Sequence, residues 1–143
     1  MLEPATQPTQ QIKSRERVRD FGEVFTRAKT VVEMCDLIPA EMYEPGRTWL
    51  EPAVGEGAFL LEVLRRKFAR CRRRADYSTA LRSVYGIDLQ ADNVETTIAN
   101  LTELAKEHYK PSKDDLETLR GHIIQGDGIK IMKLLEEHRG EHK

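Results

Sequence analysis

Three short apolar runs in this chain each lead to a carboxylate at a turn, and that repetition limits the fold more than any other feature of its 143 residues. Thr48-Trp49-Leu50-Glu51 stops at Pro52, Ser83-Val84-Tyr85-Gly86-Ile87 ends on Asp88, and His122-Ile123-Ile124-Gln125 leads to Asp127 between Gly126 and Gly128. Runs this short and apolar, bounded by proline or glycine, read as buried strands. A helical stripe follows each. Phe59, Leu60, Val63, Leu64 and Phe68 follow the first. Val94, Ile98, Leu101 and Ala105 follow the second, until Lys110 to Asp115 breaks the helix with Pro111, and Ile129 to His138 follow the third. A basic linker and Tyr77 to Arg82 separate the first helix from the second strand. Ahead of them all, Thr30 and Glu33 have capping-box spacing, predicting a helix from about Lys29 to Ile38 that Pro39 stops. Strand and helix in alternation imply an α/β fold whose parallel strands are joined by right-handed crossovers.

The length suits one domain, assigned to residues 14–143, behind a polar arm of residues 1–13 (MLEPATQPTQQIK) with almost nothing to bury. Basic and acidic residues number 23 and 24, a formal net charge of -1, so any pull on nucleic acid must come from a local patch. Cys35 and Cys71 stand far apart without paired spacing, which speaks against a zinc or disulfide framework and for a reducing cytoplasm. No run approaches the roughly 20 apolar residues that cross a bilayer, so no membrane association is expected.

In an open parallel sheet, ligands bind beyond the C-terminal ends of the strands, so Glu51, Asp88 and Asp127 are expected on one rim. Gly55 and Gly57 suit a backbone passing close beneath a ligand, and the helix start behind them offers unpaired N–H groups to an anion. The alternative is a tight strand-to-helix turn with no ligand. A dinucleotide fingerprint wants a third glycine where Leu60 stands, which weakens the case for NAD, although Asp88 on a ribose keeps that reading open. A ligand with ribose hydroxyls, an amino group, an adenine amine and a carboxylate matches both the acids and the helix start. S-adenosylmethionine has that pattern.

Phe21-Gly22-Glu23-Val24-Phe25-Thr26, Trp49-Leu50-Glu51-Pro52-Ala53-Val54-Gly55-Glu56-Gly57-Ala58-Phe59-Leu60, Tyr85-Gly86-Ile87-Asp88-Leu89 and Gly126-Asp127 occur in that order. They resemble motifs X, I, II and III of adenine-N6 DNA methyltransferases of restriction-modification systems, over roughly residues 17 to 130. The resemblance implies a Rossmann-like S-adenosylmethionine-dependent methyltransferase fold, here incomplete, with about three parallel strands and flanking helices. It implies that Phe25 and Thr26 touch the methionine end of the cofactor. Glu51, Pro52, Ala53, Gly55 and Gly57 would surround its amino and carboxylate groups, Asp88 would bind the ribose, Leu89 would pack on the adenine and Asp127 would accept from its amine. Arg27 stands where the family usually has proline, and Val54 where it often has cysteine.

Motif IV of the family, Asn or Asp before Pro-Pro and an aromatic, receives the target adenine. All six prolines here are isolated, so that motif is not in this sequence and no catalytic residue is assigned. The expectation is therefore a cofactor-binding portion that meets DNA only within a completed enzyme. Its first strand would be a sheet edge, open to a second polypeptide or to self-association. The other reading is a non-catalytic cofactor-binding or interaction module.

Seven basic residues lie within ten positions, Arg65, Arg66, Lys67, Arg70, Arg72, Arg73 and Arg74. At about 1.5 Å of rise per residue they fall some 15 to 25 Å from the crevice, at a helix C-terminus that favours cations, and they read first as a solvated face and second as a DNA contact. Arg15, Arg17 and Arg19 read as a charged helix face or a phosphate contact. His138 and His142 are four apart with no third ligand nearby, so no metal site is assigned, and Trp49 reads as core rather than as a stacking platform.

Overall fold

The structure, a computed structural model, describes residues 28–141. The arm, the Phe21–Thr26 motif with Phe25 and Thr26, Arg15, Arg17, Arg19 and His142 lie outside these residues. Six α-helices and three strands are formed among the described residues: α1 Ala28–Asp36, β1 Trp49–Glu51, α2 Ala58–Ala69, α3 Arg74–Arg82, β2 Val84–Asp88, α4 Ala91–Lys106, α5 Lys113–His122, β3 Ile123–Gln125 and α6 Gly128–Glu141. A single 3-10 turn, Ala40–Tyr43, joins α1 to β1.

The strands form one parallel sheet in the order β1-β2-β3. Register sets Glu51 beside Gly86 and Asp88 beside Gln125, so the acid of β2 projects two residues beyond that of β1. As the α/β pattern requires, the C-terminal ends of all three strands face one way, and among the described residues β1 is an edge. The core is the convergence of the predicted stripes: Leu60, Val63, Leu64 and Phe68 of α2 meet Val94, Ile98, Leu101 and Ala105 of α4 around Val84 of β2. Trp49 belongs to this packing, with its ring stacked 5.2 Å from Tyr43 and its indole N–H donating to Met42 O at 2.9 Å. Among the described residues no helix is long and apolar enough to cross a membrane.

Two helices were not legible as helices. The basic linker becomes α3, and the segment expected only to break the second helix restarts as α5. Both bury few apolar residues, Ala80 and Leu81 in one and Leu119 in the other, and a shared polar clamp compensates. Asp115, 4% exposed, accepts from Ser78 Oγ at 2.7 Å and Arg82 Nε at 3.0 Å, both on α3. Its other oxygen accepts from Tyr109 Oη at 3.0 Å and Ser112 N–H at 3.2 Å. The Ser112 hydroxyl in turn caps Asp115 N–H at 3.0 Å, a capping box.

The basic cluster is also corrected. Lys67 is fully buried, not solvated, and its ammonium donates to Glu44 O at 2.9 Å, Pro45 O at 3.2 Å and Arg47 O. Burial pushes its pKa down to about 8, which still leaves it protonated at neutral pH and able to donate all three hydrogens. Arg66 bonds Glu62 at 2.9 Å and Asp36 at 2.7 Å, and Arg70 bonds Glu44 at 3.1 Å. Three of the seven cations are thus committed to holding α1 and the loop before β1 onto α2.

Two outcomes follow from these clamps. Lys67→Met keeps the volume but strands buried carbonyl oxygens, and the urea-unfolding free energy should fall by about 2 to 4 kcal/mol. For Asp115, burial acts to raise the pKa, but the donors outweigh it and hold it at about 2 against 3.8 ordinarily. A depressed carboxyl stabilises the fold above its unfolded pKa and stops doing so as the pH falls through the folded value. Asp115→Asn should therefore cost about 2 kcal/mol at neutral pH, with the gap to the wild type closing between about pH 4 and pH 2 in acid titrations of unfolding.

Candidate functional site

The site begins with the turn after β1. Glu51 Oε1 accepts from Ala53 N–H at 3.0 Å, and Val54 N–H donates across to Ile87 O at 2.9 Å, which carries the chain from the sheet edge over the central strand. Buried Val54 lies on Gly86, where an added Cβ would sit 3.0 Å from a Val54 methyl. Gly55 and Gly57 follow with φ of 58° and 92°, in the left-handed region that L side chains rarely enter. Gly57 caps α2, and Leu61 N–H closes the first helical bond to its carbonyl at 2.8 Å.

Asp88 is the centre of the arrangement. Its Oδ2 accepts from Gly55 N–H at 2.9 Å, and its Oδ1 from Gln90 N–H at 2.9 Å and the Asn93 amide at 3.0 Å. The third turn joins through Gly126 N–H to Asp88 O at 2.9 Å and Gln125 Nε2 to Leu89 O at 3.1 Å. It also meets the first directly, because Gly128 packs so tightly on Pro52 that a Cβ there would overlap the Pro52 carbonyl. The three turns are therefore one connected rim, as the strand-end pattern predicts.

The residues singled out in the sequence divide on this rim. Glu51, Pro52, Gly55 and Asp88 come together at the ends of β1 and β2, and Leu89, 49% exposed, offers an apolar surface beside them. Ala53 is exposed at the turn. Gly57 is buried, and what needs its missing side chain is α4, because a Cβ would lie 2.9 Å from Thr97 Cγ2. Asp127 is exposed and its Oδ1 caps α6 through Lys130 N–H at 3.1 Å. Leu60, standing where a dinucleotide fingerprint has glycine, is fully buried core.

Electrostatics separates the two acids of the crevice. Asp88 already receives three donors, about three-quarters of a carboxylate's acceptor capacity. Glu51 is half-buried and makes no ion pair among the described residues. Burial pushes its carboxyl above the ordinary range, with the Ala53 N–H bond pulling the other way. A desolvated carboxylate of this kind is stabilised by an arriving cation. The first turn of α2, which follows the glycine loop, carries N–H groups that have no partner within the helix.

Three residues that hold this site were missed. Asn93 and Thr97, both fully buried, and Asn100 lie on one face of α4 and bond the rim: Asn93 to Asp88, Thr97 Oγ1 to Gly55 O at 2.8 Å, and Asn100 Nδ2 to Glu56 O at 3.1 Å. The signal was present, since each stands one position before a stripe residue, Val94, Ile98 or Leu101. Comparison of the chain with protein-family models, curated proteins and solved structures finds no match.

Gly57→Ala tests the geometry of the turn. The strained φ and the contact with Thr97 together predict a loss of about 1 to 3 kcal/mol, read as a lower urea midpoint with an unchanged slope. An unaltered midpoint would mean that the loop relaxes freely.

Proposed function

We propose that the chain is the S-adenosylmethionine-binding portion of an adenine-N6 DNA methyltransferase of the restriction-modification type, in an incomplete Rossmann-like methyltransferase fold. The observation that carries this reading is the joining of three strand-end turns around Asp88, in the motif order that the sequence shares with that family. Glu51 is a desolvated acid with no ion pair among the described residues, suited to the cofactor's amino group, and the α2 N-terminus suits its carboxylate. Leu89 gives the adenine an exposed apolar contact. Asp88 has one lone-pair position left for a ribose hydroxyl, and Asp127 can accept from the adenine amine with the oxygen that does not cap α6. The unpaired Cys35 and Cys71 suit a reducing cytoplasm.

Methyl transfer needs no covalent enzyme intermediate, only a sulfonium and an acceptor nitrogen held in line. The group that would hold the nitrogen, Asn or Asp before Pro-Pro, is not in this sequence. In this reading a second polypeptide or a second copy supplies it by pairing on the free edge of β1. At the turn after β1, Ile129, Met132 and Leu135 of α6 line a groove of about 490 Å³ with Pro52. DNA is bound only by the completed enzyme. The absent Pro-Pro equally favours a second reading, a non-catalytic module that binds the cofactor and a partner.

Calorimetric titration of the chain with S-adenosylmethionine tests the shared premise. Glu51→Gln keeps an acceptor for Ala53 N–H and removes the charge, so affinity should weaken by about tenfold or more, some 1.4 kcal/mol. A folded wild-type chain that takes up no cofactor sinks both readings, whereas a variant binding as well as wild type removes Glu51 from the amino site.

A further inference from the structure

Asparagine and threonine are poor helix formers, and burying their polar atoms costs free energy unless each finds a partner. Helix α4 nevertheless buries Asn93 and Thr97 completely and sets Asn100 on the same face. The helix does not need them for packing, since Val94, Ile98, Leu101, Leu104 and Ala105 already bury its apolar stripe. Their side chains reach the rim instead, Asn93 donating to the Asp88 carboxylate, Thr97 to the Gly55 carbonyl and Asn100 to the Glu56 carbonyl. Thr97 adds a steric element, its methyl lying where a Cβ on Gly57 would be.

We propose that Asn93, Thr97 and Asn100 form a positioning rail that fixes the Gly55–Gly57 loop and the Asp88 carboxylate before a ligand arrives. The rail grips the loop by its carbonyl oxygens. With those held, Gly55 N–H stays on Asp88 and the first turn of α2 stays aimed at the crevice, so binding does not have to order the loop. The consequence for S-adenosylmethionine rests on the proposed function, but the mechanical role of the rail does not.

Thr97→Val removes the hydroxyl and keeps the shape, and Thr97→Ser returns the hydroxyl. Two measurements on the full chain separate the claims. In the unliganded protein, amide hydrogen exchange at Gly55 to Ala58 should quicken by about tenfold in Thr97→Val, with Val84 to Ile87 as in wild type and with Thr97→Ser restoring protection. In calorimetry, Thr97→Val should bind S-adenosylmethionine about tenfold more weakly and Thr97→Ser should recover. Unchanged loop exchange overturns the rail. So does a rise spread over the whole sheet, which would make Thr97 an ordinary core residue, whereas a quickened loop that binds the cofactor as tightly as before overturns the rail's part in binding. If wild type itself binds no S-adenosylmethionine, the cofactor reading fails, and the exchange arm alone decides whether the rail holds the loop.

Discussion

A carboxylate at the end of the central strand must find donors, and the way Asp88 finds them organises this end of the molecule. It takes one N–H from the turn after β1, one from the turn after β2 and one amide from α4. Each donor lies in a different segment, so the charge can be satisfied only when all three are in place. A β2 ending in an apolar residue would leave Gly55 N–H without this acceptor, because it has no ladder to join once the chain has left the sheet. The same carboxylate accordingly limits what else the rim can bind. With most of its acceptor capacity used internally, Asp88 is a holder of the loop first, and Glu51 is the acid with unmet demand.

Strand β1 is only three residues long, too short to be located by its ladder alone. Its entry is fixed by Lys67, whose buried ammonium collects the carbonyls of Glu44, Pro45 and Arg47, and by Trp49, whose indole N–H reaches back to Met42. Its exit is fixed by Val54 N–H on Ile87 O and Gly55 N–H on Asp88. A cation at one end and an anion at the other thus place Glu51 on the rim. Neither group belongs to β1, so changes in α2 or β2 act on the rim through a strand they do not contain.

The sequence made the three strands, the glycine turn and the apolar stripes of α2 and α4 legible because each has a periodicity or a punctuating residue that only one local structure satisfies. It hid α3 and α5, where helix formation is supported by the Asp115 clamp rather than by an apolar stripe, although Ser112 and Asp115 carry capping-box spacing. It hid Lys67 because a lysine in a run of arginines looks the same whether it faces water or three carbonyls. The polar rail was masked for a related reason: a stripe of apolar residues draws the eye away from the polar residues one position before it. In all three cases the missing information is the partner, which comes from another part of the chain.

Under the proposed function, completion of the sheet and occupancy of the site are physically linked. Glu51 ends the open strand, and the next residue, Pro52, bears both on Gly128 at the start of α6 and on the apolar groove beside it. A strand added to β1 would pair with the backbone on either side of Leu50, which is 37% exposed, and would end near Pro52. It would thereby remove water from the same turn that carries the desolvated Glu51. Lower water access strengthens the attraction of that carboxylate for a cation and equally raises the cost of leaving it alone. Under the proposed function, ligand and partner then favour one another through Glu51 and Pro52, with the rail and Asp88 keeping the other side of the loop still.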